Sequence, residues 1–185
     1  MIDGSHLPYH ENVALVRKVV EVAHSVGVQV EAELGKIGGV EDDLSVEENQ
    51  AYTDPYEAKK FVADTNVDTL AVAIGTAHGI YKGEPKLDFD RIRQIEEIID
   101  IPLVLHGASG VPAESVRRAI DSGMAKINIA TELKIPMSIA IQTEFDENPD
   151  LNDPRVYMGA AKNAVKEVVK EKIRICGTKG LASLI

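Results

Sequence analysis

Residues 103–132 read LVLHGASGVPAESVRRAIDSGMAKINIATE, and this stretch decides the fold. Leu103, Val104 and Leu105 form a short apolar run with no polar alternation, the pattern of a strand buried on both faces. The run gives way to His106-Gly107-Ala108-Ser109-Gly110. Pro112 stands where a helix begins, a position at which its missing N–H is no loss, and Gly123 stands where that helix ends. A second short run, Lys126–Ile129, leads into Ala130-Thr131-Glu132. Strand, polar loop, helix and strand make one β/α unit of a parallel sheet.

The same alternation extends outward. Val28–Leu34 runs into Gly35, and Leu70–Ile74 runs into Gly75-Thr76-Ala77-His78-Gly79. Met1-Ile2-Asp3-Gly4 reads as the end of a further strand. Between the strands, Val13, Val16, Val20 and Ala23 step by three and four, as do Phe89, Ile92, Ile95 and Ile99, and Val165, Val168, Val169 and Ile173 nearer the C-terminus. Pro55 marks another helix start, Gly27 a helix end, and Asn148-Pro149 the stop of a helix that follows Thr131 and tolerates Pro136 near its first turn. Five strand ends with helices between them are five-eighths of a (β/α)8 barrel, which takes about 250 residues in full. The expected fold is therefore α/β, of the TIM-barrel family. Residues 1–185 are expected to be the C-terminal portion of a single barrel domain, covering about its last five β/α units. No GxGxxG follows the first strand, which leaves a dinucleotide site without support.

Composition narrows the function. The chain has 185 residues, 44% of them hydrophobic and 27% charged, as in a folded globular domain. Thirty acidic residues against 20 basic ones give a net charge of −10, a surface that repels a nucleic-acid backbone. No apolar run approaches the roughly 18 residues of a membrane span, so no membrane partner is expected. The start lacks the pattern of a signal peptide. The single cysteine, Cys176, fits a reducing compartment, so a cytoplasmic location is expected.

The polar and glycine-rich residues follow the strands, at the end where parallel α/β sheets bind ligands. His78 and His106 follow neighbouring strands about 4.8 Å apart, so both imidazoles can reach one metal ion. Alternatively, each is a hydrogen-bonded loop histidine. Asp3 and Glu33 end the two preceding strands, and Glu31 shares a strand face with Glu33. A carboxylate in a buried strand needs a metal or a basic partner. Glu41, Asp42 and Asp43 follow Gly38-Gly39 as a solvated acidic loop, or as a mobile loop that supplies a general base. Gly107-Ala108-Ser109-Gly110 and Asn128-Ile129-Ala130-Thr131 each precede a helix start and form candidate phosphate cradles. Capping by Ser109 and Thr131 is the plainer alternative.

In order along the chain stand DGSHLPYHENV, VEAELGKIGGVEDD, VAIGTAHGIYKGEP, LVLHGASGVP, KINIATELK and DPRVY. These segments resemble the class II, zinc-dependent ketose-bisphosphate aldolases, especially the tagatose-1,6-bisphosphate branch beside fructose-1,6-bisphosphate aldolase. The resemblance runs from Met1 to about Gly180. It implies that His78 and His106 are two of three histidines holding a catalytic Zn2+, and that Asp3 and Glu33 face an alternative or second metal position. It implies a proton-transfer role for Glu41. Gly79, Gly107, Ala108, Ser109, Asn128, Ile129, Ala130 and Thr131 match positions that bind the dihydroxyacetone-phosphate portion, where the glycine backbone is also associated with a monovalent cation, Na+ or K+. Arg155 matches an arginine associated with the far phosphate. The implied partners are a sugar bisphosphate, dihydroxyacetone phosphate and further copies of the chain.

Two departures stand beside this resemblance. The family's first zinc histidine follows an aspartate directly, and no Asp-His pair occurs in this sequence. The pair is expected in about three β/α units N-terminal to this stretch. Ala130 stands where Asp or Asn is common, as in the tagatose branch. The implied activity is reversible aldol cleavage of a ketose 1,6-bisphosphate to dihydroxyacetone phosphate and glyceraldehyde 3-phosphate. The alternative is a non-catalytic fragment or accessory subunit of such an aldolase. A generic phosphate-binding barrel isomerase leaves the two strand-end histidines and Glu33 unexplained.

Overall fold

A computed structural model describes residues 1–41, 44–46, 52–79, 81 and 83–183. They divide into two compact units, Met1–Asn128 and Ile129–Ile185. The first unit contains strands β1 (Glu31–Leu34), β2 (Gly38–Glu41), β3 (Leu44–Val46), β4 (Thr69–Val72), β5 (Ala77–His78), β6 (Leu103–Leu105) and β7 (Met124–Ile127). Its helices are α1 (Tyr9–His24), α2 (Pro55–Thr65), α3 (Phe89–Glu96) and α4 (Ala113–Asp121).

Strands β1, β4, β6 and β7 form a parallel sheet in that order. Ile2 bridges Ala32 in the same sense on the far side of β1. Five strand positions thus lie side by side in chain order, as the sequence predicts. Every residue of β1 and β6 is buried, which explains why these strands show no alternation. Helix α1 packs on α2, α2 on α3, and α3 on α4. Phe61, Leu70, Val72, Ile92, Ile95, Val104 and Leu105 are fully enclosed. Each such side chain contributes about 1.5–3 kcal/mol by leaving water.

The helix boundaries follow from local chemistry. Pro55 opens α2, and the Asp54 carboxylate accepts the Glu57 N–H at 3.0 Å. Asp88 does the same for Arg91 at the start of α3. The residue that precedes α4 is Pro112, so Ser109 is not its cap.

A second, three-stranded sheet was not foreseen. Strands β2 and β3 form an antiparallel hairpin, and β2 runs parallel to β5 with Gly38 opposite Ala77 and Gly39 opposite His78. The expected acidic loop therefore begins as a strand that ends at Glu41. The Glu41 side chain, with Asp42 and Asp43, lies outside the described residues.

The second unit holds helices α5 (Thr131–Glu147) and α6 (Pro154–Ile175), packed on each other, and a short 3-10 turn at Leu181–Ser183. Ala130 precedes α5 and Thr131 is its first residue, so Thr131 is not the cap either. Pro136 lies inside α5 without ending it, and Asn148 closes it. Asp153 accepts the Arg155 N–H at 2.9 Å as α6 begins. Lys172 reaches Glu132 at 2.8 Å, and the Phe145 and Tyr157 rings lie 5.1 Å apart. Among the described residues, no helix is long and apolar enough to cross a membrane.

Candidate metal centre

A cluster of titratable residues forms where β1 faces His106, just past the end of β6. Glu31 and Glu33 alternate out of β1 onto one face and both meet His106, which follows β6. Glu31 Oε1 lies 3.0 Å from His106 Nε2, and Glu33 Oε2 lies 3.0 Å from His106 Nδ1. The His78 and His106 ring centres are 5.8 Å apart. One donor atom each from Glu33, His78 and His106 falls within 4.8 Å of the others.

The surroundings hold these groups in place. The amide of Asn12, buried on α1, donates to the Glu33 carbonyl at 3.0 Å. Ser5 Oγ donates to Glu33 Oε1 at 3.2 Å. Lys126 Nζ donates to Glu31 Oε2 at 2.7 Å. The Asn128 Nδ2 lies 3.3 Å from Glu31 Oε1 and 2.9 Å from His106 Nε2. Burial favours neutral His106, but Glu33 and Glu31 outweigh it and hold the ring above its ordinary pKa. Burial likewise raises Glu31, while Lys126 and His106 more than offset it and keep the carboxylate below its ordinary value.

These residues fit a cation. Although Nδ1 of His106 and Oε2 of Glu33 stand 3.0 Å apart, Glu33 Oε2 is buried without a hydrogen bond. An orphaned buried carboxylate oxygen is expensive, and a metal ion satisfies it. Two imidazoles and one carboxylate are a donor set suited to zinc, with coordination positions left over. With Nδ1 facing the ion, Nε2–H donates to Glu31, the outer hydrogen bond that orients a ligating histidine.

Other expected site residues are placed as follows. Asp3 is exposed and accepts the Ser5 N–H at 2.8 Å, one step removed from Glu33 and outside the three-donor group. Gly79 directly follows His78. Gly107 has φ +64, and a Cβ there would lie 2.5 Å from the Ala77 carbonyl oxygen, so the backbone approach requires glycine. Ala108 and Ser109 are buried in the same loop. The Asn128 side chain donates to Glu31 beside His106. Ile129, Ala130 and Thr131 begin the second unit, and Arg155 lies within it near the start of α6. The Arg155 side chain is 89% exposed, and its guanidinium is engaged by Asp153 at 2.6 Å.

Sequence reading passed over three contributors. Lys126 is read there only as the start of a strand run, yet it is the basic partner expected for a strand carboxylate. Asn128 is read as backbone for a phosphate. Tyr81, joined to the loops of both histidines, gives no sequence signal beyond lying near His78.

A family model described as fructose-bisphosphate aldolase class-II matches residues 1–181. The YdjI aldolase of Escherichia coli K12 is 39% identical with a TM-score of 0.79, over 97% of this chain and 61% of that one. A Coccidioides immitis protein assigned as a fructose-1,6-bisphosphate aldolase is 30% identical with a TM-score of 0.89, over 100% of this chain and 64% of that one. A fructose-bisphosphate aldolase of Campylobacter jejuni, at 20% identity and a TM-score of 0.72, shares the fold over 95% of this chain and 59% of its own. This chain thus spans about three-fifths of the length of these structures. Its sheet corresponds to about the last five β/α units of a (β/α)8 barrel.

Proposed function

The chain belongs to the class-II fructose-bisphosphate aldolase family, and we propose that it carries the metal-binding and phosphate-binding half of a zinc-dependent ketose-bisphosphate aldolase. The observation that supports this reading best is the meeting of Glu33, His78 and His106 within 4.8 Å at the strand ends, with Glu33 Oε2 buried and unsatisfied. His78, His106 and Glu33 would hold the ion. When bound, it supplies Lewis-acid polarisation of the substrate's ketone oxygen.

The reaction is reversible aldol cleavage of tagatose or fructose 1,6-bisphosphate. The C4 hydroxyl gives up its proton, the C3–C4 bond breaks, and glyceraldehyde 3-phosphate leaves. The remaining enediolate takes a proton at C3 to become dihydroxyacetone phosphate. The chain's own groups orient this chemistry. Glu31 holds the His106 ring, Asn128 donates to Glu31, and Lys126 keeps Glu31 ionised. Gly79 and the Gly107–Ser109 loop bring backbone close to the dihydroxyacetone phosphate portion, with Asn128, Ile129, Ala130 and Thr131 as the second cradle and Na+ or K+ as a further cation there. Strand β2 pairs alongside His78 and ends at Glu41, which fits Glu41 as the proton-transfer carboxylate. Arg155 would meet the far phosphate after leaving Asp153. We place residues 1–185 in one barrel domain of a cytoplasmic homo-oligomer.

A second reading rests on the sequence: without an Asp-His pair, the chain binds the ion and phosphates but does not turn over. Zinc titration of the metal-free chain, with assays of both bisphosphates, tests both readings. Stoichiometric zinc with cleavage supports the aldolase, and stoichiometric zinc without cleavage supports the binding fragment. Absence of zinc binding that Glu33→Gln could weaken would remove the metal centre from both.

A further inference from the structure

Two hydroxyl groups in the first unit tie one strand end to the next in the same way. Thr53 Oγ1 donates to the Leu34 carbonyl at 2.6 Å and accepts the Ala73 N–H at 2.8 Å. Tyr81 Oη donates to the Gly107 carbonyl at 2.7 Å and accepts the Ala77 N–H at 2.8 Å. Their settings differ. Thr53 closes a junction that the ladder already holds, because Leu34 pairs with Val72 in the β1–β4 register. Tyr81 closes one that no ladder holds among the described residues. Strand β5 pairs with β2, whereas β6 pairs with β4 and β7.

The residues that Tyr81 joins are the immediate neighbours of the candidate metal ligands. Ala77 precedes His78, and Gly107 follows His106. The tyrosine ring lies over Gly110, where an added Cβ would stand 3.2 Å from ring carbon Cδ2. Ring and hydroxyl together span the loop after β6 and fasten it to the start of β5. We propose that the Tyr81 hydroxyl is a positioning group of the metal centre, setting the separation of the two histidine-bearing segments. The assignment rests on the metal reading above and extends it to a residue that touches neither ion nor substrate. The hydroxyl acts on two backbones at once, so its loss lets the His78 segment, paired to β2, shift against the loop that carries His106, whereas loss of the Thr53 hydroxyl leaves Glu33 held by the ladder and by Asn12.

The test uses the 185-residue chain. Zinc affinity is read by competition with a chromophoric chelator, the Co2+ form is read by its visible ligand-field bands, and stability is read by thermal melting. Tyr81→Phe keeps the ring and removes only the oxygen. It should weaken zinc binding by about 10–100-fold, the range for groups that orient metal ligands, and shift the Co2+ bands. Thr53→Val should lower Tm at least as much yet leave affinity within about twofold and the bands unmoved. Equal zinc affinity in Tyr81→Phe and wild type overturns the assignment while leaving the metal centre intact. A wild-type chain that binds no zinc overturns both.

If Tyr81→Phe does not melt cooperatively, amide hydrogen exchange in the wild type decides. Coupling between sites is reciprocal, so a clip that supports the ion is supported by it. Zinc should then slow exchange at Ala77 more than at Ala73, which has the matching clip to Thr53. Equal slowing at the two amides counts against the proposal.

Discussion

A histidine faces a carboxylate at each end of the parallel sheet. At the C-terminal end, His106 meets Glu31 and Glu33 with side chains only 4%, 10% and 2% exposed. At the N-terminal end, His24 meets Asp68 at 2.9 Å with side chains 33% and 26% exposed. His24 is the last residue of α1. Asp68 also accepts the Val30 N–H at 2.6 Å and so ties the approach to β1 to the approach to β4. The outer pair is complete: each group has a protein partner, and water screens the rest. The inner cluster is buried and leaves one oxygen unsatisfied. Similar residue types at similar distances thus serve cohesion at one end and form a buried donor group at the other.

Removing the inner ring should break the contrast most severely. His106→Ala removes the ring that pairs with both buried carboxylates, leaving Lys126 and Asn128 on Glu31 and Ser5 on Glu33. We expect zinc affinity to fall by more than about 100-fold and stability to drop by about 3 kcal/mol, the scale for breaking a buried charged group's pairing. Chelator competition and urea unfolding read the two effects, and a variant retaining both affinity and stability would mean the cluster is ordinary packing. Glu31→Gln is gentler. It keeps an acceptor for His106 Nε2 but removes the charge paired with Lys126, and zinc should bind about 10-fold more weakly. Unchanged affinity would confine Glu31 to a structural ion pair.

Gly107→Ala asks whether the loop beside His106 needs its close backbone approach. With positive φ and the Ala77 carbonyl in the way, a loss of about 1–3 kcal/mol is expected. A melting temperature equal to wild type would show that the loop gives way freely. The smallest effect belongs to the outer pair. Asp68→Asn should lower stability by less than about 1 kcal/mol near neutral pH, since the pair is screened. Burial raises the Asp68 pKa, but the hydrogen bonds from His24 and the Val30 N–H outweigh it and hold the group below its ordinary value. A depressed carboxylate stabilises the fold above its unfolded pKa of about 3.9 and loses that contribution as pH falls through the lower folded value. The Tm gap between wild type and Asp68→Asn should therefore persist at pH 6 and close below about pH 4. A gap that is constant with pH would detach Asp68 from this linkage.

The contrast was partly legible in the sequence. Parallel strands declare themselves when they are apolar on both faces, so Leu103–Leu105 was read with its observed limits and the neighbouring strands within a few residues. Val28 belongs to a predicted strand, yet it lies outside β1 and is 55% exposed. There the Val28 N–H is held by the Ala23 carbonyl near the end of α1 rather than by a ladder. The hairpin of β2 and β3 is short and acidic and has no apolar period of its own. Its strand character comes from pairing with β5, which a local pattern cannot reveal. The same limit applies to the site. His78, His106 and Glu33 announce themselves as polar groups at the ends of apolar strands. Asn128, Lys126 and Tyr81 act through contacts 22, 95 and 26 residues away in the chain.

The sheet's chain-order arrangement bears on how the polypeptide assembles. Ala32 bridges Ile2, Thr69 joins Glu31 38 residues later in the chain, Leu103 joins Leu70 after 33, and Met124 joins Leu103 after 21. Closure entropy rises only with the logarithm of such spans, about 0.6 kcal/mol per doubling, so successive pairings face similar entropic barriers. Among the described residues, each strand of the parallel sheet pairs with the one next to it in chain order. A nascent chain leaving the ribosome can dock each strand on the one made before it.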